Sequence, residues 1–243
     1  MTRDKGFAGM LADRLCQVRF SDFPASTVHK AKLHLLDTIG AGLAGSASPE
    51  TQRVWRGLGL QTDGGRSAVW GMPHDISVRS AGFMNGVLAH ALELDDSGGC
   101  DHSGAVVVPA ALAILPELAE AVSGRRLLTA MVMGYEVGRR VLEAVGGYET
   151  HNGLGWHSTG TCGVFGAAAA AGLLLDLDAP RLEQALGTPA VMVLGHERCG
   201  AVIAAALGST KTQWLVVAAL AAHGLLDLVH PHLVSNPGVP AWW

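Results

Sequence analysis

Polar side chains are scarce in this chain, and the densest group of them spans residues 90–102, H-A-L-E-L-D-D-S-G-G-C-D-H. Its residue types are those of general acid–base chemistry. His90 and His102 supply imidazoles, the side chain suited to proton transfer at neutral pH, and Glu93, Asp95, Asp96 and Asp101 supply carboxylates. The spacing makes His90 and Glu93 i,i+3 neighbours on the last turn of a helix. Asp95, Asp96 and Ser97 follow, then a Gly98-Gly99 break, and a new apolar helix begins after His102. Acidic residues at a helix C-terminus face the negative end of its dipole, a locally costly choice of the kind found at functional sites. The plain alternative is a solvated loop between two helices, kept wet by its acids.

A second polar group, G-L-G-W-H-S-T-G-T at 153–161, sets His157 directly before a Ser158-Thr159 start signal and a long Ala-rich helix. A helix N-terminus favours the neutral imidazole, which suits a base at neutral pH, although a single such histidine also fits a satisfied loop position. His90, Glu93, Asp95, Asp96, His102 and His157 offer nitrogen and oxygen donors to a metal. No H-E-x-x-H or E-x-x-H pair shares a helix, however, and the glycines would hold the loop's ligands loosely, so no metal is expected. G-x-S-x-G is absent, and Cys16, Cys100, Cys162 and Cys199 are far apart with no C-x-x-C pair. That argues against an activated nucleophile, a disulfide framework and an iron–sulfur centre. Gly98-Gly99 and Gly146-Gly147 lack the strand–loop–helix context of a phosphate cradle, so no nucleotide is implied.

Helices must position these groups. Residues 27–44 carry Val28, Ala31, Leu35, Thr38, Ile39 and Gly42 on one face, with Pro24 and Ser26 ahead of them and Gly45 behind. Further helices are predicted at about 49–60, 75–93, 104–122, 124–145, 158–175, 179–187 and 201–224. Only 66–70 (R-S-A-V-W) resembles a short strand. The predicted fold is therefore all-α, a multi-helix bundle over residues 1–229 with an irregular, proline-containing tail at 230–243. Small residues dominate the helix faces, and 32 glycines in 243 residues point to close backbone contact between helices.

Composition narrows the function classes. Hydrophobic residues make up 49% and charged residues 16%, so the chain is not disordered. Seventeen Lys+Arg against 21 Asp+Glu leave a net charge of −4, with no footprint for nucleic acid or anionic lipid. The longest apolar stretches, 105–115, 164–175 and 215–226, fall short of the ~18–20 residues of a spanning helix. Arg3, Asp4, Lys5, Asp13, Arg14 and Arg19 interrupt any signal-peptide core. A cytoplasmic protein is expected, without a membrane partner.

Several motifs resemble the MmgE/PrpD family in order: L-L-D-T-I-G-A-G-L-A-G (35–45), N-G-V-L-A-H-A-L-E-L-D-D (85–96), H-S-G-A-V-V-V-P-A-A-L-A (102–113), L-L-T-A-M-V-M-G-Y-E-V-G-R-R (127–140) and W-H-S-T-G-T-C-G-V-F-G-A-A-A-A-A (156–171). The resemblance covers residues 5–187. It implies a cofactor-free lyase of a small polycarboxylate, such as a 2-methylcitrate dehydratase, with decarboxylase or epimerase chemistry as family alternatives, and a homodimer. The family pattern H-A-L-D-x-D-D carries Glu93 in place of an aspartate. It also implies a large helical domain plus a smaller α+β domain, and the latter is not found in this sequence. Lys211, in S-T-K-T-Q-W, is the only candidate for the family's lysine, and the Leu-His-x-Gly that should follow is missing. Residues 191–243 keep a family-like composition without the family sequence, as a truncation or frame disruption would produce.

From the residues and the resemblance together, His102 and His157 are expected to be the acid and base, in unassigned order. Glu93 and Asp96 are expected to join them in catalysis, with Asp95, Ser97 and Lys211 binding substrate. Backbone N–H groups near Ser103 and Ser158 are further candidates for anion binding. The competing expectations are a catalytically inactive helical remnant and a metal-dependent hydrolase.

Overall fold

The structure is a computed structural model that describes residues 6–194. Among them are nine α-helices and one short strand pair, so the expected all-α class is the observed one. The helices are α1 (Phe7–Leu15), α2 (Ala25–Gly45), α3 (Pro49–Gly57), α4 (Val78–His90), α5 (Gly104–Ile114), α6 (Gly124–Ala144), α7 (Gly147–Gly153), α8 (Ser158–Leu174) and α9 (Ala179–Leu194). β1 (Ser67–Ala68) pairs antiparallel with β2 (Asp75–Ile76). Lys211, the predicted helix 201–224, the domain boundary at 229 and the tail 230–243 lie outside the described residues.

Local chemistry sets the boundaries. The hydroxyls of Ser48, Ser77 and Ser123 accept from the backbone N–H groups of Thr51, Ser80 and Arg126, capping α3, α4 and α6. The helix predicted at 75–93 is shorter at both ends. Asp75 and Ile76 are drawn into the strand pair and Ser77 caps a start at Val78, while the helix ends at His90. The segment predicted as helix to 122 leaves α5 at Ile114, where Pro116 cannot donate to a continuing ladder and a single 3₁₀ turn takes over. Two helices were not predicted. α1 lies in an N-terminal segment of mixed charge, and α7 is short and starts among glycines.

α5 lies at the centre, packed against α4 on one side and α8 on another, with α2 against α4 and α6 against α8. Val107, Val108 and Ala111 of α5 meet Leu128 and Met131 of α6, Ala170 and Leu174 of α8, and Ala31 of α2 in the largest core cluster. α6 and α8 approach backbone to backbone. A methyl group on Gly134 would stand 2.8 Å from the Gly166 carbonyl oxygen, and one on Gly166 would collide with the Gly134 carbonyl. At this contact glycine serves backbone-to-backbone packing, as the composition suggested. A second cluster, with Trp55, Val69, Ile76, Met84 and Leu88, fastens the strand pair to α3 and α4. Among the described residues, no helix is long and apolar enough to cross a membrane.

Candidate active site

Because α5 touches both α4 and α8, the C-terminal end of α4 and the N-terminal ends of α5 and α8 converge. His90 is the last residue of α4, His102 stands two residues before α5, and His157 is the N-cap of α8. The His90 and His102 rings are 4.4 Å apart between centroids, and those of His90 and His157 are 6.4 Å apart. The His102 backbone N–H donates to Thr159 Oγ1 at 3.1 Å, tying the loop to the first turn of α8.

One carboxylate organises two of the rings. The Asp95 side chain is fully enclosed; its Oδ1 lies 3.0 Å from His90 Nδ1 and its Oδ2 3.2 Å from His102 Nδ1. The opposite ring edges face other carboxylates. His90 Nε2 is 3.3 Å from Glu93 Oε1, and His102 Nε2 is 3.6 Å from Asp101 Oδ1 and 3.9 Å from Glu93 Oε2. The loop that does this is bent hard. Glu93 and Asp101 both adopt left-handed backbone, at φ 52° and 93°, a costly conformation for side chains other than glycine.

The histidines are held in opposed states. The hydrogen bond to Asp95 raises the pKa of His90 despite its burial, with the charges of Asp95, Glu93 and Asp101 adding to the effect. Burial lowers the pKa of His157, and the neighbouring His90 and His102 lower it further against the pull of Asp101 and Glu93. The two shifts run in opposite directions within one group of rings.

Asp96, the next carboxylate in the chain, bonds to a different set of groups. It accepts from the Tyr135 hydroxyl at 2.8 Å and from the Gly104 N–H at 2.8 Å, and its Oδ2 is ion-paired with His34 Nδ1 at 2.5 Å. Burial pushes its carboxyl pKa upward, against the hydrogen bonds of Tyr135 and Gly104 and the charge of His34. It fastens the loop to α2, α6 and the start of α5. A methyl on Gly104 would run into Thr38, Asp96 and Tyr135 together, so only glycine fits at that junction. A cavity of about 530 Å³ borders this clamp, lined by His34, Gly99 and Tyr135 with Lys30, Met131 and Arg139; His90, His102 and His157 take no part in it.

Of the expected site residues, the structure brings His102, His157, Glu93 and Asp95 together. Asp96 is placed in the clamp, Ser97 is exposed on the loop, and Lys211 lies outside the described residues. Ser103 and Ser158 are both fully buried. The Ser103 hydroxyl accepts from the Cys100 N–H, and that cysteine's thiol is pushed up to about 11 by burial, away from the range of a nucleophile. The sequence reading missed the part of His90 and the clamp residues His34 and Tyr135. The i,i+3 pairing with Glu93 was the available signal for His90, whereas nothing in the spacing singles out His34 or Tyr135. As possible metal donors, His90, Asp95 and His102 each bring one atom to within 4.8 Å of the others.

The chain matches the family model of the MmgE/PrpD N-terminal domain over residues 9–225, reaching beyond residue 187, where the motifs quoted above give out. It is 34% identical over 184 residues to the cis-aconitate decarboxylase-like protein oryM of Aspergillus oryzae, covering 73% of this chain and 38% of that protein. Cis-aconitate decarboxylase of Aspergillus terreus is 30% identical over 179 residues, 72% of this chain and 36% of the relative. Cis-aconitate decarboxylase of Homo sapiens is 31% identical over 209 residues, 82% of this chain and 40% of the relative. The chain spans about two fifths of the length of the curated relatives it matches.

Proposed function

The chain belongs to the MmgE/PrpD family, and from that premise we propose that it carries the acid–base side of a lyase site for a small polycarboxylate. The observation that supports this most is the histidine group, in which one buried carboxylate lies against two imidazoles while burial lowers the pKa of a third, His157. Proton transfer at neutral pH needs imidazoles brought to one place, as these three are.

In this proposal His157 is the base and His102 the acid. In an elimination, as on 2-methylcitrate, His157 takes the proton α to a carboxylate while His102 protonates the departing hydroxyl. In a decarboxylation, as on cis-aconitate, the carbon–carbon bond breaks and CO₂ leaves. The electron pair left on carbon then takes a proton from the acid. The names of the relatives favour the second reaction. Asp95 reaches substrate only through the two rings it holds, so its part is positioning rather than substrate binding, and Asp96 acts by fixing the loop. Glu93, 72% exposed, is the carboxylate placed to accept from a substrate hydroxyl, with Ser97 beside it on the loop. Substrate carboxylates need partners of the opposite sign, a part left to Lys211 and to backbone N–H groups at helix starts. A second copy of the chain as partner belongs to the same proposal.

The test is incubation of the purified full chain with cis-aconitate, 2-methylcitrate and citrate, following CO₂ release and the absorbance of unsaturated products. Turnover of at least one substrate, reduced by roughly 10²–10⁴ in His102→Gln and in His157→Gln, is the expected result. No turnover of any of the three would leave the non-catalytic helical module as the better account. Turnover indifferent to both substitutions would overturn the assignment of the histidines.

A further inference from the structure

We infer that His90, Asp95 and His102 form a binding site for one divalent transition-metal ion of the zinc type, and that its occupation takes His102 out of proton transfer. Two imidazoles and a carboxylate are a donor set that suits zinc, nickel, copper or ferrous iron. The spacing also fits. An ion with bonds of about 2.0–2.1 Å in tetrahedral geometry separates neighbouring ligand atoms by about 3.3 Å. The two nitrogen–oxygen distances here are 3.0 and 3.2 Å, one to each oxygen of the Asp95 carboxylate, and one donor atom from each residue lies within 4.8 Å of the others.

A second observation points to a ligand. Asp95 Oδ2 and His102 Nδ1 are both buried and 3.2 Å apart, yet they are not aligned as a hydrogen bond, and neither finds another partner among the described residues. Two buried polar atoms left unpaired cost about 1–3 kcal/mol each. A cation between them satisfies both, and it neutralises a carboxylate whose side chain is 0% exposed.

The surroundings complete the pattern. When a histidine binds a metal through one nitrogen, its other ring nitrogen commonly donates to a carboxylate. His90 Nε2 has Glu93 at 3.3 Å, and His102 Nε2 has Asp101 at 3.6 Å. The sequence argued against a metal because a glycine-containing loop would hold its ligands loosely. The structure pins that loop through Asp96 to α2, α5 and α6, and through the His102 N–H to Thr159.

Binding does not depend on the function proposed above; the inhibitory consequence rests on it. The experiment titrates zinc into the chelator-treated full chain against a chromogenic zinc chelator, with cobalt absorbance as a second probe. Wild type, His90→Gln, Asp95→Asn and a surface control, His29→Gln on α2, are compared, and circular dichroism and melting establish folding. Binding of one equivalent is expected, weakened by about tenfold or more in His90→Gln and Asp95→Asn and unchanged in the control. Absence of one-equivalent binding, or binding that survives in folded His90→Gln, overturns the site. If turnover is measurable, zinc at saturating occupancy abolishes it, and unaffected turnover overturns the inhibitory part. One-equivalent binding by a chain without turnover supports the site while the lyase proposal fails.

Discussion

Replacing Asp96 by asparagine removes a negative charge that two hydrogen-bond donors and the His34 ring share, and the cost can be worked from their geometry. The asparagine carbonyl oxygen still accepts from the Gly104 N–H, now 2.8 Å from Oδ1. The second oxygen becomes an NH₂ group, a donor facing the Tyr135 hydroxyl at 2.8 Å and His34 Nδ1 at 2.5 Å. The hydrogen bond from Tyr135 to a charged acceptor is lost, worth about 1.5–3 kcal/mol, and with it the ion-pair contact to His34. Part of that loss is offset, because burial already pushes the Asp96 carboxyl pKa upward and asparagine carries no charge to desolvate. The net destabilisation is therefore about 2–4 kcal/mol, the range of a broken buried network. For a chain of this size that lowers Tm by about 5–15 °C. Thermal and urea melts of the full chain at pH 7, followed by circular dichroism, measure it. A double-mutant cycle with His34→Ala isolates the clamp and is expected to give a coupling of about 1 kcal/mol or more. A Tm within about 2 °C of the parent, or additive single effects, would refute the clamp and return Asp96 to the list of groups available to substrate.

Two further outcomes test the packing that carries the site. Asn85, 1% exposed on α4, accepts from the Trp70 N–H at 2.9 Å and donates to the Ala68 carbonyl at 3.0 Å. Asn85→Ala orphans both backbone groups and is expected to cost about 2–4 kcal/mol in a urea melt; a loss under about 1 kcal/mol would contradict it. Burial pushes the Asp63 carboxyl up, but hydrogen bonds from Ser80 and Ser77 outweigh it, and its pKa falls below the ordinary 3.8. A carboxyl depressed on folding contributes stability that is present above the unfolded pKa and lost as pH falls through the folded one. The Tm gap between wild type and Asp63→Asn should therefore hold steady above about pH 5 and shrink below about pH 4, and a gap independent of pH would refute the assignment.

What could be read from sequence, and what could not, divides along one physical line. Helical periodicity is local, and it placed α2 with Ala31, Thr38 and Gly42 on the buried face where the structure has them. Serine caps are local as well, and Ser123 ends one segment and opens α6 as read. The β1–β2 pair is not local. Two residues on each side carry no period, and what holds Ile76 there is burial against Met84, Leu88 and Trp55. The candidate site follows the same division. His102 and His157 stand out because each precedes a helix. Their meeting with His90 depends on α5 packing against α4 and α8 at once, which no spacing records.

The Asp95-Asp96 pair shows the limit most sharply. Of two identical side chains adjacent in one motif, the sequence reading puts Asp96 in catalysis and Asp95 at the substrate. In the fold, one carboxylate is shared between two imidazoles and the other between α2, α5 and α6. Nothing in their type or spacing distinguishes them, because the difference lies in the partners that distant segments bring. His34 and Tyr135 make the point from the other side, since Tyr135 lies within one quoted motif and His34 just before another, yet each has a part only through Asp96. The acidic motif is therefore two clamps in succession. The second sets the loop in place, and only then can the first hold His90 and His102 at the distance that either a shared proton or a shared metal ion requires.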